Sequence, residues 1–242
     1  MIPFKPITGD EPALEHSPLL KAALLTLRYI QENGPIGLTP SKALKRYFVQ
    51  WAAEAFNWPH YSASDLYQLN KVLNELDFAP LMVLHDLLLE TKLVRHYKSA
   101  MQITKLGKQL NSQPAVLWTV LANHLLFMFD HSRYTRYGDQ FFADWDVILG
   151  VIDKEAKAGI TQDQLCAALL GASEKRDLGL NSLLYIHVLR PICWVGLMEE
   201  QRQGQGFKHA RHFIKTSLWT SALPFYPARD EAPDGVTLPK LA

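Results

Sequence analysis

With only two cysteines among 242 residues, the chain has no basis for the disulfide framework that small secreted domains use to supplement a core. Cys166 and Cys193 also lack CxxC or Cys/His ligand spacing and sit among apolar neighbours, so both read as inert core thiols. A long hydrophobic run is missing as well. The longest uncharged stretch, Gln109 to Phe129, is broken by Asn111, Ser112, Gln113, Thr119, Asn123 and His124. Its apolar part, from Ala115, falls short of the about 20 residues a membrane span needs. The N-terminal MIPFKPITGDEPALEH lacks the charged-then-apolar layout of a signal segment. Net charge is +1, so no whole-molecule field draws the chain to nucleic acid or anionic lipid. Catalytic signatures are absent: no GxSxG, HExxH, P-loop or GxGxxG occurs. These gaps lead us to expect a reduced, soluble, cytoplasmic protein with no membrane partner, no cofactor, no metal and no enzymatic activity.

Acid is also missing locally. Between Thr91 and Phe129 lie five cations, Lys92, Arg95, Lys98, Lys105 and Lys108, and no Asp or Glu. Between Gln201 and Arg229 lie five more, Arg202, Lys208, Arg211, Lys215 and Arg229, again without acid. Such zones steer a polyanion even when the total charge is near zero.

The chain around these zones repeats one grammar. Ser17-Pro18 is an N-cap followed by proline at the first helical position, and Leu20, Ala23, Leu24, Leu27 and Ile30 give one apolar face up to Asn33-Gly34. Ile36-Gly37-Leu38 suggests a short strand. Thr39-Pro40 predicts a second helix to about Phe56, with Lys42, Lys45 and Arg46 on its outer side. Ser62 predicts a third helix through Leu66, Leu69, Val72, Leu73 and Leu76. An apolar helix over 81–90 then leads to a strand at Leu93-Val94, a basic turn at Arg95 to Ser99, a strand at Met101 to Ile103, and a new helix after Thr104. In the second half, a helix through Trp145 to Ile152 is followed by a capping box at Thr161 to Gln164. Asn181 is expected to cap a helix that continues past a kink at Pro191. A strand at Leu197 to Glu199, a polar turn over 201–206 and a returning strand over 207–214 end on Lys215-Thr216. Between the copies, Ala115 to about His131 is apolar nearly all round, which places it in the middle of something: a join between halves or a dimer interface.

The expected fold is mainly α with short β wings, two tandem winged-helix-like modules joined by a central apolar helix. The expected layout is a flexible arm over 1–16, a first module over 17–113, a connecting helix and loop over 114–138, a second module over 139–222, and a tail over 223–242. The stretch from Trp51 to Leu110, with FDHSRYTRYGDQF and VLRPICWVGLMEE, resembles a pattern in uncharacterised bacterial proteins. Some of these are plasmid- or phage-associated and carry winged-helix-like modules. The resemblance spans roughly residues 17–220, its motifs are not catalytic, and it implies no functional residue.

A winged helix holds duplex by laying its wing along phosphates and its third helix in the major groove. Arg95, His96 and Lys98 in the first wing, Lys105 beyond it, and Arg202, Lys208 and Arg211 around the second suit phosphate contact, as do Lys42, Lys45 and Arg46. Alternatively, these cations simply keep an edge strand from aggregating. The helix over 80–90 carries no Lys, Arg, Asn or Gln, only His85, Asp86 and Glu90, and base readout needs the former. Asn181, Ser182, Tyr185, His187 and Arg190 equip the second module better. A further segment gathers His124, Asp130, His131, Arg133, Tyr134, Tyr137, Asp139, Asp144 and Asp146. His124 and His131 stand two helical turns apart, too far to share a metal without a third element, so a helix end bonded to the following loop is the plainer account. Arg133 to Tyr137 could stack on bases or pack as a lid at a junction. The expected function is a non-enzymatic DNA-binding or regulatory protein that contacts duplex phosphates. The alternative is a winged-helix protein–protein adaptor without DNA binding. Duplex DNA, a protein partner and a second copy of the chain are the candidate partners.

Overall fold

Ser17 opens α1 (Pro18–Asn33) as its sequence predicts: the Ser17 hydroxyl accepts the Leu20 amide and Pro18 fills the first turn. In the computed structural model, which describes residues 4–9, 11–134, 144–171, 178–203 and 210–224, the same grammar is built twice. The first module continues with β1 (Ile36–Gly37), α2 (Arg46–Phe56), α3 (Ala63–Leu69), α4 (Ala79–Glu90), β2 (Val94–Tyr97), β3 (Ala100–Ile103) and α5 (Lys105–Leu110). After α6 (Pro114–Phe127) and α7 (Trp145–Glu155) come β4 (Ile160–Thr161), α8 (Gln162–Leu170) and α9 (Leu178–Leu184). A π-helical turn over Tyr185–Leu189 joins α9 to α10 (Arg190–Val195), followed by β5 (Met198–Gln203), β6 (Ala210–Lys215) and α11 (Ser217–Ala222). The protein is mainly α with short β wings, in two modules. Each module holds a three-stranded antiparallel sheet with its last strand in the middle, in the orders β1-β3-β2 and β4-β6-β5.

The internal repeat extends to single hydrogen bonds. Where the helix before each hairpin ends, Lys92 and Gly196 both take positive φ, 58° and 89°. The next amides, Leu93 and Leu197, donate back to Leu88 and Ile192, each at 3.0 Å. At the hairpin's exit the Thr104 and Thr216 amides donate to Leu93 and Leu197, at 3.0 and 3.1 Å. Their hydroxyls bond the carbonyls of Lys92 and Gly196 at 2.8 and 2.6 Å. One hydrogen-bonded frame thus ties helix, wing and following helix together in both modules.

The apolar α6 joins the two halves. Leu117, Trp118, Leu121 and Leu125 are buried, and the Trp118 indole N–H donates 2.8 Å to the Val195 carbonyl of the second module. Trp58 meets Trp194 edge-on across the same junction, with ring centroids 5.5 Å apart.

Several segments depart from their predicted form. The second helix starts at Arg46 rather than Thr39, because Leu38 and Leu44 pair as an antiparallel bridge around a turn in which Lys42 has φ 66°. The third helix stops at Leu69, so Leu69, Val72 and Leu76, read as core, are exposed. Arg95, His96 and Tyr97 belong to a strand, and the turn is only Lys98-Ser99, both at positive φ, the left-handed pair a tight two-residue hairpin requires. Asn181 lies inside α9 and donates to Asp163 instead of capping. Pro191 brings no break. The helix widens before it, and the Arg190 amide donates to Tyr185, five residues back, which accommodates a residue with no amide hydrogen. Of the segment read as a loose arm, the described residues are docked: Phe4 packs on Trp118 at 5.0 Å, the Lys5 amide donates to Ala222 at 2.7 Å, and Ala13 and Leu14 are buried. Most of the predicted tail lies outside the described residues.

Candidate nucleic-acid interface

The first wing separates its residues by strand alternation. Val94 and His96 face inward with Met101, whereas Arg95 and Tyr97 face outward beside Gln102 and Ala100. The outward Tyr97 ring carries Arg95 at 5.5 Å and Lys98 at 5.3 Å from its centroid and is 48% exposed. Lys42, Lys45, Arg95, Lys98, Lys105 and Lys108 are all exposed, and among the described residues none makes an ion pair. Lys45 packs its stem over Gly37, and Arg46 donates to the Asn74 side chain at 2.9 Å.

His96 is placed differently from the other wing residues. Its Nε2 lies 2.8 Å from His85 Nε2, and His85 Nδ1 lies 2.6 Å from Glu75. The other Glu75 oxygen accepts the Leu44 amide at 2.7 Å. Burial, then the charges of His85 and Lys42, hold the His96 imidazole below its ordinary range. It is therefore uncharged near neutrality and turned toward α4, away from the surface a phosphate would meet.

The second wing engages its own cations. Arg202 and Arg211 converge on Glu200, with Nε to Oε1 distances of 2.7 and 3.5 Å, and the Glu200 side chain is only 6% exposed. Tyr185 donates to the other Glu200 oxygen at 2.9 Å, and Arg211 stacks on the Tyr185 ring at 4.0 Å. Lys215 is bound to Asp153 at 3.1 Å. Lys208 lies outside the described residues. Glu200 falls one residue before the acid-free zone and was missed for that reason. The strand register carries the signal: Glu200 shares a face with Arg202, which pairs directly with Arg211.

The helix before the first wing is occupied within the protein. On α4, Asp86 accepts the Tyr134 hydroxyl at 2.5 Å, while Glu90 holds His124 at 2.8 Å and Arg133 at 2.8 Å. Burial and Asp86 push the Tyr134 hydroxyl upward. The His/Asp segment is thereby dispersed among separate partners. Asp130 bonds Ser132 and Arg133, and His131 is buried with Nε2 donating to the Leu125 carbonyl at 2.7 Å. Arg136, Tyr137 and Asp139 lie outside the described residues. Among the described residues, no group of three His, Cys, Asp or Glu could hold a metal, and no helix is long and apolar enough to cross a membrane. The Cys193 thiol is pushed up by burial and then by Glu200 and Glu199, so it is a poor nucleophile.

The two modules coincide with two family models. Residues 15–116 match the Y4jL N-terminal domain and residues 135–217 match the y4jL C-terminal domain. The chain is also 35% identical over 170 residues, 70% of its length and 77% of the relative's, to "Uncharacterized protein y4jL" of Sinorhizobium fredii. The chain belongs to the y4jL family. The gap between the two y4jL domain models, residues 117–134, takes in most of α6, and the repeat begins again at α7. No solved structure matches the chain.

Proposed function

We propose that the protein is a non-enzymatic, cytoplasmic regulator that binds duplex nucleic acid through the first module's wing, with both modules read as winged helices. The observation that supports this is the outward face of β2 and β3. Arg95 and Lys98 flank an exposed Tyr97 there without a carboxylate partner, and unpaired Lys42 and Lys45 stand on the adjoining β1–α2 turn. Phosphate contact by such groups releases counterions and carries no base information. With α4 engaged by Tyr134, His124 and Arg133, sequence preference is expected to be slight.

Anisotropy of a fluorescent duplex tests this reading. With about four phosphate contacts, affinity should fall roughly 100-fold between about 50 and 200 mM salt. The double substitution R95A/K98A should weaken binding and flatten the salt slope by about two. Duplex binding that is absent at low salt, or unchanged in R95A/K98A, overturns the proposal.

A second reading, a protein–protein adaptor, is favoured by one specific observation: Leu69, Val72 and Leu76, close together in the chain, are 83%, 46% and 78% exposed. Large exposed apolar side chains mark a docking face where they adjoin. Under that reading, L69D/L76D abolishes a specific partner's co-purification while R95A/K98A does not.

A further inference from the structure

Arg190 is the one strongly buried guanidinium among the described residues, 9% exposed, and it has no carboxylate partner. Its Nε is sealed from solvent and makes no hydrogen bond, and what answers its charge is phenol hydroxyls, Tyr61 through a side-chain hydrogen bond with Tyr185 and Tyr134 nearby. Its carbon sits 4.8 Å from the Trp194 ring centroid. Protein interiors rarely leave a cation in this state, because desolvating a charge without compensation costs several kcal/mol or more. The pairing seen elsewhere in the molecule makes the exception sharper: Arg202 and Arg211, both more exposed, share Glu200.

Arg190 borders a cavity of about 280 Å³ at the junction of the two modules. The first module contributes Trp58 and Tyr61 to its wall, and the second contributes Tyr185, Cys193 and Trp194. The wall is thus largely aromatic, with one cation that no carboxylate neutralises. Tyr185 reaches it from the π-helical turn, a local irregularity that often accompanies binding sites. Junctions between modules are also common places for small-ligand pockets.

We propose that this cavity binds a small aromatic carboxylate, its ring among Trp58, Tyr61, Tyr185 and Trp194 and its carboxylate on Arg190. Guanidinium and carboxylate match as planar forks. Glu199 and Glu200 also line the cavity. Glu200 is neutralised by Arg202 and Arg211, but the two acids leave one cation for one charge, which selects a monoanion over a phosphate dianion. The volume suits one or two fused rings. The site is separate from the first wing and does not depend on nucleic-acid binding.

The probes are benzoate and indole-3-carboxylate, each against its neutral amide, read by quenching of intrinsic tryptophan fluorescence and by thermal shift. Saturable quenching and a raised Tm are expected with the carboxylates, and binding about tenfold weaker or worse with the amides, which lack the charge-assisted pair. R190M should abolish that preference. Because it replaces a buried charge that has no carboxylate partner with an apolar chain of similar length, at the loss of a bond to Tyr61, its own Tm should change little. R190K, which keeps the charge without the fork, should retain weakened preference for the carboxylates and covers the case in which R190M fails to fold. Equal binding of carboxylate and amide, no binding of either, or wild-type preference in R190M or none in R190K overturns the proposal.

Discussion

Lys92 and Gly196 hold the same place in the two modules but in different surroundings. A Cβ on Gly196 would lie 2.6 Å from the His16 carbonyl oxygen, in addition to the cost of φ 89°. Lys92 pays only for its φ of 58°, on an exposed turn. G196A should therefore cost about 2 kcal/mol or more, whereas K92G should change stability by less than about 1 kcal/mol, since relief of φ strain offsets the added chain entropy. Urea unfolding of both variants distinguishes these values, and a neutral G196A would contradict the contact with His16. His131 makes a second residue-scale prediction. Burial lowers its pKa from 6.5 to about 4, so the unfolded chain binds the proton more readily than the folded one. Stability is full above about pH 7 and is lost as pH falls toward 4, by roughly 3 kcal/mol from this group. H131Q should flatten that part of the stability–pH curve, and an unchanged slope would assign the loss elsewhere.

At the scale of elements, the second hairpin differs from the first by one carboxylate. Removing its charge in E200Q should free Arg202 and Arg211, raise duplex affinity at low salt and steepen the salt slope by about two. An unaltered slope would mean that this hairpin faces away from the nucleic acid. Much at this scale was legible in the sequence. Ser17, Thr104 and Thr161 cap the helices they were expected to cap, because a cap is decided by neighbours in the chain. What was hidden depended on partners far away in sequence. Leu69 and Leu76 keep helical spacing, yet the helix ends because Asn74 and Asp77 form their own capping pair for a short 3-10 turn. The pairing of Arg202 and Arg211 with Glu200 required strand register, and that of Asp86 and Glu90 with Tyr134 and Arg133 required the fold. Basic zones counted along the chain therefore overstated the second wing.

For the whole molecule, the matching of two separate domain models contrasts with a single continuous core. Buried side chains from α1, α6 and α10 belong to one cluster, and Phe4 and the Ala13–Leu14 turn close over it. We expect one cooperative unfolding transition, with tryptophan fluorescence and far-UV circular dichroism superimposable. W118F should lower stability by about 1–3 kcal/mol by leaving the Val195 carbonyl without its donor and should separate the two signals if that bond couples the modules. Two transitions in the wild type would show that the modules fold independently.

The line from the Leu44 amide through Glu75 and His85 to His96 is fixed at its buried end and reversible at its outer one. Glu75 accepts on both oxygens, so His85 holds a proton on Nδ1 toward it. The Nε2–Nε2 contact then needs one hydrogen between the rings, and either ring can supply it: His96 from its Nε2, or His85 from its own Nε2 with His96 keeping its proton on Nδ1. One added proton therefore fits the line without breaking a bond. The wing can gain positive charge without losing its hold on α4.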